Sequence, residues 1–286
     1  MDTPIRRALL SLDGLSVGDA LGERFFGLPE EVGRRIAARL LPPGPWRYTD
    51  DTEMALGVVA CLQERGGIEP TLLARLFHRS YHNDRGYGRG MHRFMELLDL
   101  GVPWDQAASM LFEGRGSFGN GSAMRVAPVG AYFAHDPERA AREAACSAVV
   151  THAHPEAEAG AVAVAVAAAL AWQDPTGASF WAGVLDHTPR GRVRERIAQA
   201  CELPLESEPT EVAARLGSGQ EVACYDTVPF CLWCARRHLD DYAEAFWTTV
   251  SGLGDRDTTC AIVGGIVALS APGVPEDWLA RRESLP

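Results

Sequence analysis

At 286 residues the chain is long enough to bury a core of its own, in one large domain or two small ones. Its 47% apolar and 23% charged residues are those of an ordinary globular protein. A formal charge of −11 argues against a binder that neutralises nucleic-acid phosphates, but it is compatible with divalent cations. All 27 basic residues are arginine, which reads as a composition bias. Seven cysteines, an odd count, fit a reducing, cytoplasmic setting better than a disulfide framework. The apolar run near the N-terminus is broken by Ser11 and Asp13 and does not read as a signal peptide. Ala157 to Trp172 is alanine-rich and contains Glu158, and it reads as too short and too weakly hydrophobic to span a bilayer.

Helical spacing dominates from the start. Leu9, Leu12, Val17 and Leu21 predict a helix over 6–21. Met54, Leu56, Val58, Val59 and Leu62 predict one over 52–65, closed by Gly66-Gly67. Further helices are expected at about 70–81, 88–99, 104–112, 137–151, 155–172, 178–186 and 190–201. Three more are expected at about 209–215, 228–237 and 239–250, with a last one after Asp257. No strand pattern of useful length, no linker and no repeat interrupts them. The expected fold is all-α: a single domain over 1–286, a multi-helix orthogonal bundle with its site in a central cleft. The connecting segments 42–51, 83–90, 114–121 and 251–257 are rich in Gly, Pro, Asp or Asn, where backbone can approach a ligand. The acidic stretch 200–222 carries no readable chemistry.

Two short clusters carry the strongest signal. Tyr48-Thr49-Asp50-Asp51-Thr52 opens one helix, and Gly254-Asp255-Arg256-Asp257-Thr258-Thr259 opens another. Their carboxylates and hydroxyls are hard oxygen donors suited to Mg²⁺ or Mn²⁺. Each cluster alone is explained at least as well as a helix cap, because Thr and Asp are preferred there. Two such clusters favour a shared pair of divalent ions. Between them, Gly114 to Gly121 holds four glycines in eight residues and resembles a phosphate-cradling loop, without the Lys-Ser/Thr end of a Walker motif. Asp84-Arg85-Gly86-Tyr87-Gly88 reads as a turn. His152 and His154 read as capping or hydrogen-bonding residues, and His78 and His82 as surface or loop-anchoring ones. Cys231 and Cys234 have zinc-like spacing but lie in an apolar run, which favours core packing.

In order, Leu15 to Gly22, Tyr48 to Thr52, Arg85 to Gly88, Gly116 to Val126 and Gly254 to Thr258 resemble the motifs of the ADP-ribosylglycohydrolase family, across roughly residues 6 to 270. Arg85 to Gly88 and Gly116 to Val126 look most like its serine-directed branch. The resemblance implies hydrolysis of ADP-ribose conjugates, whether ADP-ribosylated protein or O-acetyl-ADP-ribose, with two divalent ions as cofactors. It implies Thr49, Asp50, Asp51, Asp255, Asp257 and Thr258 as metal ligands. It implies Gly116, Ser117, Gly119, Asn120, Gly121 and Met124 at the diphosphate and ribose, Phe112 and Phe118 at the adenine, and His152 and Tyr87 in the substrate site. That branch carries a mobile glutamate where this chain has Phe26, with Glu23 three residues earlier.

The expected mechanism has the ions fix the distal ribose hydroxyls and acidify a water, which Asp50 or Asp257 orients toward C1″. Two competing readings remain at this point: a binuclear phosphoesterase, and a non-catalytic ADP-ribose-binding relative. A monomer working without membrane or nucleic acid is the default.

Overall fold

Chain-local chemistry decides where the helices begin. The computed structural model describes residues 2–286. Thr3 caps helix Pro4–Gly22 by accepting the Arg6 amide, and Pro4 occupies the first turn, where its missing N–H costs nothing. Glu69, Asp136, His154 and Asp241 cap helices Pro70–Ser80, Pro137–Val149, Pro155–Gln173 and Tyr242–Ser251 in the same way. Helix Asp50–Arg65 ends, as its glycines predict, on Gly66 in the left-handed region at φ 67°. Among the described residues there is no strand, only two isolated bridges, Trp46 to Arg282 and Gly119 to Ala223. The fold is all-α.

Pro155–Gln173 occupies the centre, packed against helices Pro137–Val149, Ala127–Tyr132 and Cys224–Arg237. It is apolar all round, as a fully surrounded helix must be. Its 19 residues are long and apolar enough by composition to cross a membrane, contrary to the sequence expectation, yet most of that stretch is buried inside the protein.

A second contact fixes the functional geometry. Helix Pro4–Gly22 lies on helix Arg256–Val267 through Gly14, Gly18 and Gly22. A Cβ at these positions would fall 2.3, 2.1 and 2.4 Å from the carbonyl oxygens of Gly264, Cys260 and Arg256. Only hydrogen at each position lets the two backbones touch. This contact carries the second acid cluster, at the start of Arg256–Val267, to the end of the first helix.

Several elements differ from expectation. Helix Cys224–Arg237 starts four residues before the predicted 228, because the Asp226 and Thr227 amides already bond the Ala223 carbonyl. Helix Trp104–Gly114 breaks at Phe112 and Glu113, both left-handed. Helices Pro29–Ala37, Gly121–Met124, Ala127–Tyr132 and Glu276–Arg281 and the 3₁₀ turn Glu23–Phe25 were not anticipated. All but the nine-residue Pro29–Ala37 are too short to show a helical period and form through tertiary contacts, while Pro29–Ala37 buries only Val32.

Candidate active site

Asp19 organises the site, and the sequence reading gave it no role. It sits fully buried near the end of helix Pro4–Gly22 and accepts the Thr49 amide at 3.0 Å, the Thr49 hydroxyl at 2.8 Å and the Thr52 amide at 3.1 Å. The Thr52 hydroxyl donates to it as well. One carboxylate thus takes two of the amides that begin helix Asp50–Arg65, from outside that helix. Burial raises its pKa to about 7, against the lowering effect of these bonds. The available signal was an aspartate inside the apolar run Val17 to Leu21, where a buried carboxylate requires partners.

With Asp19 and Thr49 capping, Asp50 and Asp51 are left for other work. The second cluster behaves alike. Asp255 stands at the N-cap of Arg256–Val267, but its side chain makes no capping bond and instead accepts the Asn120 amide group at 2.8 Å. Asp257 does accept the Thr258 amide of its own first turn at 2.9 Å, but capping leaves Asp50, Asp51 and Asp255 unexplained. Asp50, Asp51, Asp255, Asp257 and Thr258 line one cleft of about 580 Å³. The Thr258 hydroxyl reaches toward Asp51 Oδ2 at 3.4 Å, and Asp51 Oδ1 is buried without a partner. Burial first, then neighbouring carboxylates, raises Asp50 and Asp51 well above the usual range and Asp255 to about 8. No group of three or more His, Cys, Asp or Glu side chains among the described residues is drawn together to hold a metal. The donor set still fits a hard divalent cation, since it offers carboxylate and hydroxyl oxygens, one of them buried and unpaired.

The glycine-rich loop forms the opposite wall. Ser117, Phe118, Gly119, Asn120, Gly121 and Met124 line the cleft. Its cradle is partly spent internally: Ser117 Oγ accepts the Gly119 amide and the Val222 carbonyl accepts the Asn120 amide. Gly116 does not line the cleft; at φ 70° it packs on Ala153, where a Cβ would sit 2.7 Å from the backbone. Phe112 reaches the rim, 45% exposed and held left-handed at φ 52°. Phe118 lies against His154 and Tyr225, with Arg192 stacked over the tyrosine. Glu221 and Val222 also line the cleft, bringing the unread 200–222 stretch into the site.

Tyr87 turns away from the cleft. Its hydroxyl donates to buried Glu53 at 2.9 Å, while Gly86, Gly88, Arg89 and Gly90 line the wall. Glu53 also accepts the His82 amide and lies 2.6 Å from its ring, so His82 anchors this loop. Arg85 forks onto Glu283 at 2.8 and 3.0 Å, stacks over Tyr48, and through its carbonyl accepts the Asp50 amide. Thr49 likewise faces Asp19 and not the cleft. His152 lines the cleft, whereas His154 caps the central helix. Cys231 and Cys234 lie in the core, as their apolar setting indicates. Phe26 stacks under Arg256, and Glu23, though open to solvent, is raised to about 7 by partial desolvation and by the Asp257 charge.

The family model described as ADP-ribosylglycohydrolase matches residues 1–284. The chain is 30% identical to human (Homo sapiens) ADP-ribosylhydrolase ARH3, over 81% of this chain and 73% of that one. It is 30% identical to ADP-ribosyl-[dinitrogen reductase] glycohydrolase of Rhodospirillum rubrum over 52% of each. A solved structure named ADP-ribosylglycohydrolase-related protein complex superposes with a TM-score of 0.68 at 25% identity, covering 99% of this chain and 94% of that one. The chain belongs to the ADP-ribosylglycohydrolase family and is a glycohydrolase.

Proposed function

We propose that the enzyme hydrolyses the bond at C1″ of ADP-ribose carried on protein side chains or on a small acyl ester, with two Mg²⁺ or Mn²⁺ ions in the acid cleft. The observation that carries this reading is the meeting of both carboxylate pairs and the glycine-rich loop in one cleft. Asp50, Asp51, Asp255, Asp257 and Thr258 would hold the ions, with Thr49 holding the first cluster in place from behind through Asp19. When bound, such ions supply positive charge beside the ribose hydroxyls and acidify water.

The chain's own residues do the rest. Asn120 fixes Asp255 by its 2.8 Å bond, so the loop that faces the substrate and the acid cluster move as one. Ser117, Gly119 and Gly121 give the diphosphate close backbone approach, and Phe112 and Phe118 offer faces for the adenine from the rim. The Asp50 carboxylate lines the cleft and accepts no bond from another described residue, which suits a group that orients water. Asp257 is the other candidate for that role. Glu23, close enough to Asp257 to feel its charge, would substitute for the glutamate absent at Phe26.

Product analysis tests the reading. Differently linked ADP-ribose conjugates, incubated with the enzyme and Mg²⁺ and separated by chromatography, should yield intact ADP-ribose from at least one linkage. Asp257→Ala should abolish that product. AMP or inorganic phosphate in its place would establish phosphoester chemistry and overturn the proposal.

A further inference from the structure

Arg125 is a fully buried cation with no carboxylate beside it. Its Nη2 donates to the Ser147 carbonyl at 2.7 Å, its Nη1 donates to the Thr151 hydroxyl at 2.9 Å, and its guanidinium stacks over Phe77. The Thr151 oxygen lies 2.7 Å from His152 Nδ1. Arg125 can only donate, so Thr151 accepts from it. The hydroxyl then has one proton to place, and His152 Nδ1 is its only recorded acceptor among the described residues. The Thr151 hydroxyl and His152 Nδ1 are both satisfied in one arrangement alone: Arg125 to Thr151, Thr151 to His152 Nδ1, and the ring proton on Nε2. If Nδ1 carried the proton, the Thr151 hydroxyl would be buried without an acceptor. His152 is 6% exposed, lines the cleft, and has no protein partner at Nε2. That nitrogen lies along the glycine-rich loop, 3.4 Å from where a Cβ on Gly119 would stand and 3.0 Å from one on Gly121.

We propose that Arg125 and Thr151 are positioning residues that lock His152 as the uncharged Nε2–H tautomer and aim that N–H at an acceptor oxygen of the bound conjugate, on its diphosphate or ribose. The inference rests on the ADP-ribose reading above. Burial and the nearby Arg125 charge hold the ring neutral, with its pKa lowered to about 3. The donor is therefore present throughout the neutral range and does not switch with pH, unlike an ordinary surface histidine.

The test begins on the unsubstituted protein. Long-range ¹⁵N–¹H correlation of histidine-labelled enzyme, with His152 assigned from His152→Gln, should show protonated Nε2 and bare Nδ1 from about pH 5 to about pH 8. Thr151→Val should scramble that tautomer and raise KM, and the Kd for free ADP-ribose, by about tenfold while changing kcat less than about twofold. Thr151→Ser should restore both the spectrum and KM. A protonated Nδ1, an imidazolium at neutral pH, or a changed tautomer with unchanged ADP-ribose Kd would overturn the proposal. The spectrum and Kd need no turnover, so a failure of the hydrolase reading would be seen separately, as ADP-ribose binding without product.

Discussion

Buried charge at single residues carries most of this site's chemistry. Asp19 joins two helices through four donors, so Asp19→Ala leaves the Thr49 and Thr52 amides without acceptors. The expected cost is about 2–4 kcal/mol, read as a lower urea midpoint at constant m value. His152 makes a signed pH prediction. Its folded pKa of about 3 lies below the ordinary 6.5, so its contribution is intact above the unfolded value and declines as pH falls below it. Between about pH 6.5 and about pH 5 the unfolded state gains a proton that the folded state refuses, removing about 2 kcal/mol. His152→Gln should flatten that part of the stability profile measured by thermal denaturation; an unchanged slope would mean the ring titrates normally. Both residues were visible in the sequence as polar groups beside apolar runs. The role of Asp19 was not visible, because its partners lie 30 or more positions away; the resemblance put His152 in the substrate site but not the Thr151 and Arg125 contacts that orient its ring.

At the scale of elements, the fit between helices Pro4–Gly22 and Arg256–Val267 decides whether the two acid clusters meet. A Cβ on Gly18 would stand 2.1 Å from the Cys260 carbonyl oxygen, and that neighbour is backbone with nowhere to move. Gly18→Ala should cost about 1–3 kcal/mol and weaken Mn²⁺ binding, because it drives the second cluster away from Asp19 and Asp51. Calorimetric titration of Mn²⁺ into the folded variant checks the second effect; wild-type affinity would show that the clusters do not depend on this contact. The long helices were legible because burial imprints a 3.6-residue period on them, and the caps at Thr3, Glu69 and Asp136 agree with it. Short helices such as Ala127–Tyr132 left no period to read. The left-handed turn at Phe112 and Glu113 also went unread, since neither residue type favours that conformation and only the surrounding fold imposes it.

For the whole molecule, the two acid clusters stand 200 residues apart in sequence and face each other across one cleft. Their residue types suit hard-cation ligands or helix caps, and the cleft holds all four carboxylates. What the sequence could not show was which neighbours turn inward. Thr49 goes to Asp19, Tyr87 to Glu53 and Gly116 to Ala153, while Glu221 and Val222 arrive from a stretch with no motif. Asp50, Asp51 and Asp255 are raised by burial and then by the neighbouring carboxylates, so gathering these acids without a cation carries a cost. Divalent ions are expected to relieve it, binding with release of protons and raising the Tm of chelator-stripped protein.

ADP-ribose release from a conjugate that the enzyme turns over, followed as Mg²⁺ or Mn²⁺ is titrated into chelator-stripped enzyme, probes the cleft most directly. Release should be negligible with EDTA, rise saturably with the ion, and stay negligible in Asp257→Ala at every concentration. Full release in EDTA would contradict the assignment of the four carboxylates to metal.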